Sequence, residues 1–144
     1  IEKRSDYLDE AERLLKAVGL WEKRLESTHT LSYGDQRRVE IARALACQPQ
    51  FLFLDEPAAG MNREETDALM VILRRLSSEL GIAVLLVDHD LELINQLSDR
   101  IAVLNEGRMI AQGTPLEIRK DPAVIAAYLG TGRKTDTKQE GEMT

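Results

Sequence analysis

The feature that most constrains this chain is a pair of short, unbroken apolar runs, each closed by acids. Residues 51–54 (FLFL) run into Asp55, Glu56 and Pro57, and residues 82–87 (IAVLLV) run into Asp88, His89 and Asp90. A continuous apolar run of four to six residues reads as a strand buried on both faces, as in a parallel sheet. Between the two runs, Asn62 is placed to cap a long helix whose apolar positions are Leu69, Ile72, Leu73, Leu76 and Leu80, with Gly81 as its stop. Strand, helix, strand in this order makes the expected fold class α/β, a parallel sheet flanked by helices.

The flanking segments extend that reading. Ser5 is placed to cap a first helix carrying Leu8, Ala11, Leu14, Leu15 and Val18 at helical spacing, with Gly19 as a stop. A polar link leads to LSYGDQ, residues 31–36. Val39, Ile41, Ala42, Leu45 and Ala46 then mark a second helix ending before Pro49. After the second strand come a short helix at 91–97 and a β-hairpin, with strands at 100–104 and 108–112 joined at Asn105, Glu106 and Gly107. Thr114–Pro115 and Asp121–Pro122 start two more helices, the second closing at Gly130. Residues 131–144 are polar and are expected to be a disordered tail.

With 144 residues and 43% hydrophobic side chains, one domain with a packed core is expected. The net charge of −6 provides no overall positive field for phosphate backbones, so nucleic acid is excluded as a partner. Cys47 is the single cysteine, which excludes an internal disulfide and a multi-cysteine zinc site and fits a reducing compartment. No apolar run approaches the roughly 20 residues of a membrane span, so any membrane link is expected to go through a partner. The chain opens on Ile1 rather than Met, and its first residue is not expected to be the start of a gene product.

Three segments carry possible chemistry. A carboxylate at the C-terminal tip of a parallel strand lies where open α/β sheets bind ligands, which makes Asp55 a candidate magnesium ligand. Glu56 beside it is a candidate general base, a role worth roughly 100- to 10,000-fold in rate. The alternative is a plain acidic turn before a proline. LSYGDQ brings Ser32, Gly34 and free N–H groups to a helix start, an anion site in form or an ordinary capped helix. His89 follows the next strand, which puts it at the same sheet edge as Glu56; otherwise it is a solvated histidine. Asp88, His89 and Asp90 are poor as a metal triplet, because neighbouring residues rarely direct all their side chains to one ion. His29 carries no hypothesis. The segment GTGRKT at 130–135 is not a phosphate loop, because an arginine separates Gly132 from Lys134 and no strand precedes it.

In this order, LSYGDQRRVEIARAL (31–45), FLFLDEPAAGMN (51–62) and LLVDHD (85–90) resemble the signature loop, Walker B strand, D-loop and switch histidine of the ATP-binding-cassette ATPases. Tyr33, the AAGMN at 58–62 and GTPLEIRKDPAVIAAYLG at 113–130 further resemble the ATP-binding subunits of branched-chain amino acid importers. The resemblance implies an ATPase that uses ATP and Mg²⁺. Asp55 would reach the metal through water, Glu56 would be the catalytic base and His89 would reach the γ-phosphate. Ser32, Tyr33, Gly34, Asp35 and Gln36 would address the ATP of an opposite subunit, and Gly60, Met61 and Asn62 would form the D-loop. The implied partners are a second ATPase subunit in a homo- or heterodimer, transmembrane permease subunits and, indirectly, a periplasmic or extracellular solute-binding protein. The implied location is peripheral, on the cytoplasmic side of the membrane. A non-transport cassette ATPase and a non-catalytic dimerising fragment are the alternatives.

The signature usually reads LSGGQ, so Tyr33 replaces a glycine and Asp35 the glutamine; an acid in a helix's first turn stabilises the helix, so a purely structural role is the alternative for Asp35. Asn62 replaces the aspartate that usually ends the D-loop. The family's phosphate-binding loop and glutamine loop have no counterpart in residues 1–144, and the chain resembles the C-terminal portion of a cassette. On this resemblance residues 1–130 form that portion, with 1–48 the helical subdomain part and signature helix, and 49–130 carrying the Walker B, D-loop and histidine segments. The strand that precedes the phosphate loop in the family is expected to leave a gap between residues 82–87 and 100–104. The 144-residue chain alone is expected not to hydrolyse ATP.

Overall fold

The computed structural model describes residues 2–131, with side chains described for residues 5–127. All but the first residue of the expected tail, and the lysine-bearing part of 130–135, lie outside them. The chain divides into two compact units, residues 1–93 and 94–144. Each unit holds its own two-stranded sheet.

The first unit opens with helix α1 (Glu2–Ala17). Ser5 lies inside this helix rather than at its cap, a correction that follows from a helix already begun at Glu2. Only the end of α1 packs: Leu14 and Val18 are buried, while Leu8 is exposed. Two single-turn 3-10 helices (Trp21–Lys23 and Thr28–Thr30) lead to α2 (Tyr33–Leu45). Strand β1 (Phe51–Asp55), helix α3 (Arg63–Ser78) and strand β2 (Ala83–Val87) follow, and β1 and β2 pair in parallel from Phe51↔Ala83 to Asp55↔Val87. That register sets both strand tips level, and the Glu56 N–H extends the ladder to the Val87 carbonyl at 2.8 Å.

Alternation splits the sheet into two unlike faces. Leu52, Leu54, Val84 and Leu86 point to one, where α3 packs on β2 and on α2. The core there is Ile41, Ala42 and Leu45 of α2, Leu52, and Leu69, Met70, Ile72, Leu73 and Leu76 of α3. The other face stays open: Phe51 is 64% exposed, Phe53 70%, Leu85 55% and Val87 57%. Burial on both faces, expected from the unbroken apolar runs, is therefore corrected, because no layer among the described residues covers this second face.

Helix α4 (Leu91–Leu97) begins on an Asp90 carboxylate that accepts from the N–H groups of Glu92 and Leu93. The second unit is built on the expected hairpin, β3 (Ile101–Asn105) with β4 (Arg108–Gly113). Its turn holds Glu106 at φ 48° and Gly107 at φ 75°, the left-handed pair that a two-residue hairpin turn of right-handed strands requires. The register slips by one between Val103 and Leu104, leaving Ile110 as the extra residue of a bulge. Helices α5 (Pro115–Ile118) and α6 (Pro122–Thr131) pack on β4, with Ile101, Ile118 and Val124 in the core. No helix among the described residues is long and apolar enough to cross a membrane.

Candidate functional site

The level tips of β1 and β2 bring together residues that lie far apart in the chain. Glu56 is the first residue beyond β1 and His89 the second beyond β2. His89 Nδ1 lies 3.2 Å from Glu56 Oε1, and 3.8 Å from Asp88 Oδ1. The two side chains thus share a hydrogen bond from the tip of one strand to the tip of the next. The histidine is 81% exposed and the glutamate about half exposed, so the pair is open to a ligand.

Glu56 also adopts φ 42°, a left-handed backbone that costs a non-glycine residue about 1–2 kcal/mol. Such backbone strain concentrates at functional sites, where surrounding structure holds it in place. Here the Glu56 N–H is tied to Val87 and its side chain to His89.

Asp55 ends β1 on the open face of the sheet, in line with Phe53, with its carboxylate accessible. Among the described residues no group of three His, Cys, Asp or Glu side chains is set to hold a metal ion. Magnesium commonly takes one or two carboxylates and completes its shell with water and phosphate oxygens. Asp55 fits that role as a single ligand to a metal–phosphate complex, not as part of a metal site of its own.

The second expected cluster sits at the start of α2. Ser32 caps the helix, its Oγ accepting from the Asp35 N–H at 3.2 Å. Gly34 is buried, and its N–H donates to Glu65 Oε1 at 3.2 Å. The ring of Tyr33 is stacked by the Arg37 guanidinium at 5.3 Å, and its hydroxyl accepts from Arg37 Nε. The Gln36 amide turns back to the Leu31 carbonyl at 3.0 Å.

Asp35 is only 3% exposed, and its carboxylate is held by Lys23 and by Arg38, the latter at 2.7 Å. A carboxylate closed off from water and already paired with two cations fits the structural alternative for Asp35, an acid in the first turn of its helix.

At 60–62, Gly60 takes φ 79° and lies close to the Tyr33 ring, which a Cβ at Gly60 would meet at 3.5 Å. Met61 is half-buried. Asn62 caps α3 as expected, its Oδ1 accepting from the Glu65 N–H at 2.9 Å, and Glu65 Oε2 accepts from the Asn62 N–H at 3.2 Å. The loop 60–62 and the loop 32–34 thus meet through Tyr33 and Glu65. Sequence reasoning missed Glu65, Lys23 and Arg38. Glu65 carried a usable signal, the Asn-x-x-Glu spacing of a capping box; the other two carried none.

The ABC transporter family model matches residues 2–59, and the model of the branched-chain amino acid ATP-binding cassette transporter matches residues 108–134. Both matched models describe ATP-binding-cassette transporters, and over these residues the chain is similar to that class. More particularly, it is similar to the high-affinity branched-chain amino acid transport ATP-binding protein LivG of Salmonella typhimurium, with 48% identity over 88% of this chain and 49% of that protein. The corresponding BraF of Pseudomonas aeruginosa is 48% identical over 87% of this chain and 49% of its own length.

Among solved structures, the ADP conformation of MJ1267, an ATP-binding cassette of an ABC transporter, superposes with a TM-score of 0.78 at 27% identity, covering 87% of this chain and 50% of that one. CbiO1 of Clostridium perfringens, part of the cbiONQ ABC transporter complex, gives 0.77 at 30% identity, covering 89% of this chain and 51% of its own. The fold is that of part of an ABC ATPase domain, and the chain spans about half the length of the curated relatives it matches.

Proposed function

We propose that this chain is the C-terminal portion of the ATP-binding and ATP-hydrolysing subunit that energises an importer of branched-chain amino acids. The single observation that carries the reading is the 3.2 Å contact between Glu56 and His89 across two strand tips, next to the Asp55 carboxylate. The named relatives and the family match at residues 108–134 support the solute class.

Magnesium-bound ATP, with water as the attacking group, supplies the phosphoryl bond to be broken. Asp55 would hold the metal side of that complex. Glu56 would take a proton from the attacking water, its carboxylate held at the strand tips by the hydrogen bond it shares with His89, which would reach the γ-phosphate. Ser32 and Gly34 would offer an O–H and an N–H to the ATP of a second ATPase subunit, with Tyr33 and Gln36 beside them and Gly60, Met61 and Asn62 along the shared edge. The subunit would dock on transmembrane permease subunits at the cytoplasmic face of the membrane, and a solute-binding protein would act through those permeases.

The test is a subunit of the relatives' full length carrying these residues. Glu56→Gln is expected to keep ATP binding and lose hydrolysis by about 100-fold or more, because only proton transfer is removed. Loss of ATP binding with hydrolysis would count against Glu56 as the base. The 144-residue chain alone contains no G-x-x-x-x-G-K-[ST] loop and is expected to give no magnesium-dependent turnover.

A further inference from the structure

We propose that Glu65 is a positioning residue that ties the loop at 60–62 to the loop at 32–34 and competes, as an internal anion, for the donors assigned to a phosphate. This rests on the function proposed for Ser32 and Gly34 and adds a regulator to that site. The carboxylate is shared between the two loops oxygen by oxygen. Oε1 accepts from the Gly34 N–H and Oε2 from the Asn62 N–H, each at 3.2 Å, with Ser32 and both backbone donors favouring the charged carboxylate.

The close approach is written into the chain. A Cβ on Gly34 would stand 2.8 Å from Glu65 Cγ and Cδ and 2.9 Å from its Cβ, so only glycine admits the carboxylate here. Asp35 on α2 is the like charge that Glu65 faces, and Lys23 and Arg38 pair with it.

A phosphate arriving at Ser32 and Gly34 needs the Gly34 N–H that Glu65 holds, and it has the same sign of charge. The carboxylate must therefore let go of Gly34. Because the same group also fastens the Asn62 N–H, an event at the first loop is transmitted to the second, at the start of α3. Glu65 makes occupancy of one loop legible at the other without touching the reacting atoms.

The experiment uses the 144-residue chain on a Phe53→Ser background that limits self-association through the open sheet face, inorganic phosphate as the probe and amide NMR signals of Gly34 and Asn62 as the readout. In the wild type the two amides are expected to move along one binding curve. In Glu65→Gln the Gly34 curve is expected to shift to phosphate concentrations lower by about fivefold or more, with Asn62 no longer following. Gly34→Ala, which expels the carboxylate by contact, is expected to move the Asn62 amide before any phosphate is added.

Equal midpoints in wild type and Glu65→Gln, or an Asn62 amide that ignores phosphate in the wild type, would overturn the proposal and leave the assignment of the loop standing. Phosphate that moves Gly34 in neither protein would remove both. Should Glu65→Gln fail to fold, acidification of the wild type neutralises the same carboxylate beside Asp35. The Gly34 and Asn62 amides are then expected to titrate with one shared midpoint, and two separate midpoints would refute the link.

Discussion

A carboxylate out of contact with water is tolerable only with cations at hand, and Asp35 has two. Lys23 reaches it from the end of the first 3-10 turn (Trp21–Lys23), and Arg38 from one turn further along α2. Removing the acid leaves Arg38 without its partner in a largely closed site, so Asp35→Ala is expected to lower unfolding stability by about 2 kcal/mol in urea titration. No change would show that the pair contributes nothing net.

Glu117 gives a prediction of a different kind. Its carboxylate accepts from the Thr114 N–H at 2.7 Å and from the Thr114 hydroxyl at 2.9 Å, which holds its pKa below the usual glutamate range. A depressed folded pKa adds stability that is fully present above the unfolded value and is lost as pH falls through the folded one. Stability of the second unit is therefore expected to fall as pH drops below the ordinary glutamate range. Glu117→Gln should flatten that fall, as thermal unfolding followed across pH 5 to pH 3 would reveal.

At this scale the sequence was readable wherever a residue's position followed from its element. Glu56 and His89 were placed at one edge because each follows an apolar strand. The pairing of Asp35 with Lys23 was not readable, because no spacing rule describes the approach of Lys23.

Elements show the same division between what is local and what is not. The strand segments expected at 82–87 and 100–104 are observed at Ala83–Val87 and Ile101–Asn105, and Asn62 and Thr114 cap the helices expected of them. Local chemistry decides such things: an apolar run, a side-chain acceptor, a proline after a cap. Burial of the strands could not be read in this way, because it depends on a layer that the strand's own residues do not encode.

The hairpin turn offers the sharpest test among the elements. Gly107 at φ 75° admits no side chain without strain, so Gly107→Val is expected to cost about 1–2 kcal/mol. The loss should show as faster hydrogen exchange across β3 and β4, with the β1 and β2 ladder unchanged. Exchange rising equally in both ladders would mean that the two units unfold as one.

For the whole chain, the open face of the first sheet is the dominant liability. Phe51, Phe53, Leu85 and Val87 form a contiguous apolar patch on a two-stranded sheet, the kind of surface that drives association. The 144-residue chain is expected to self-associate at micromolar concentration and to bind an apolar fluorescent dye. Phe53→Ser should reduce both, as read by light scattering and dye emission. A monodisperse monomer that leaves the dye dark would show that this face is covered.

The parallel register from Phe51↔Ala83 to Asp55↔Val87 also sets which lengths can vary. Deleting or inserting one residue within either strand would rotate everything beyond it by half a turn, carrying the base or its histidine to the opposite side of the sheet. Gains and losses of residues in proteins that keep this chemistry should therefore collect around α3 and its connections, where the chain can lengthen without disturbing the alignment of the two tips.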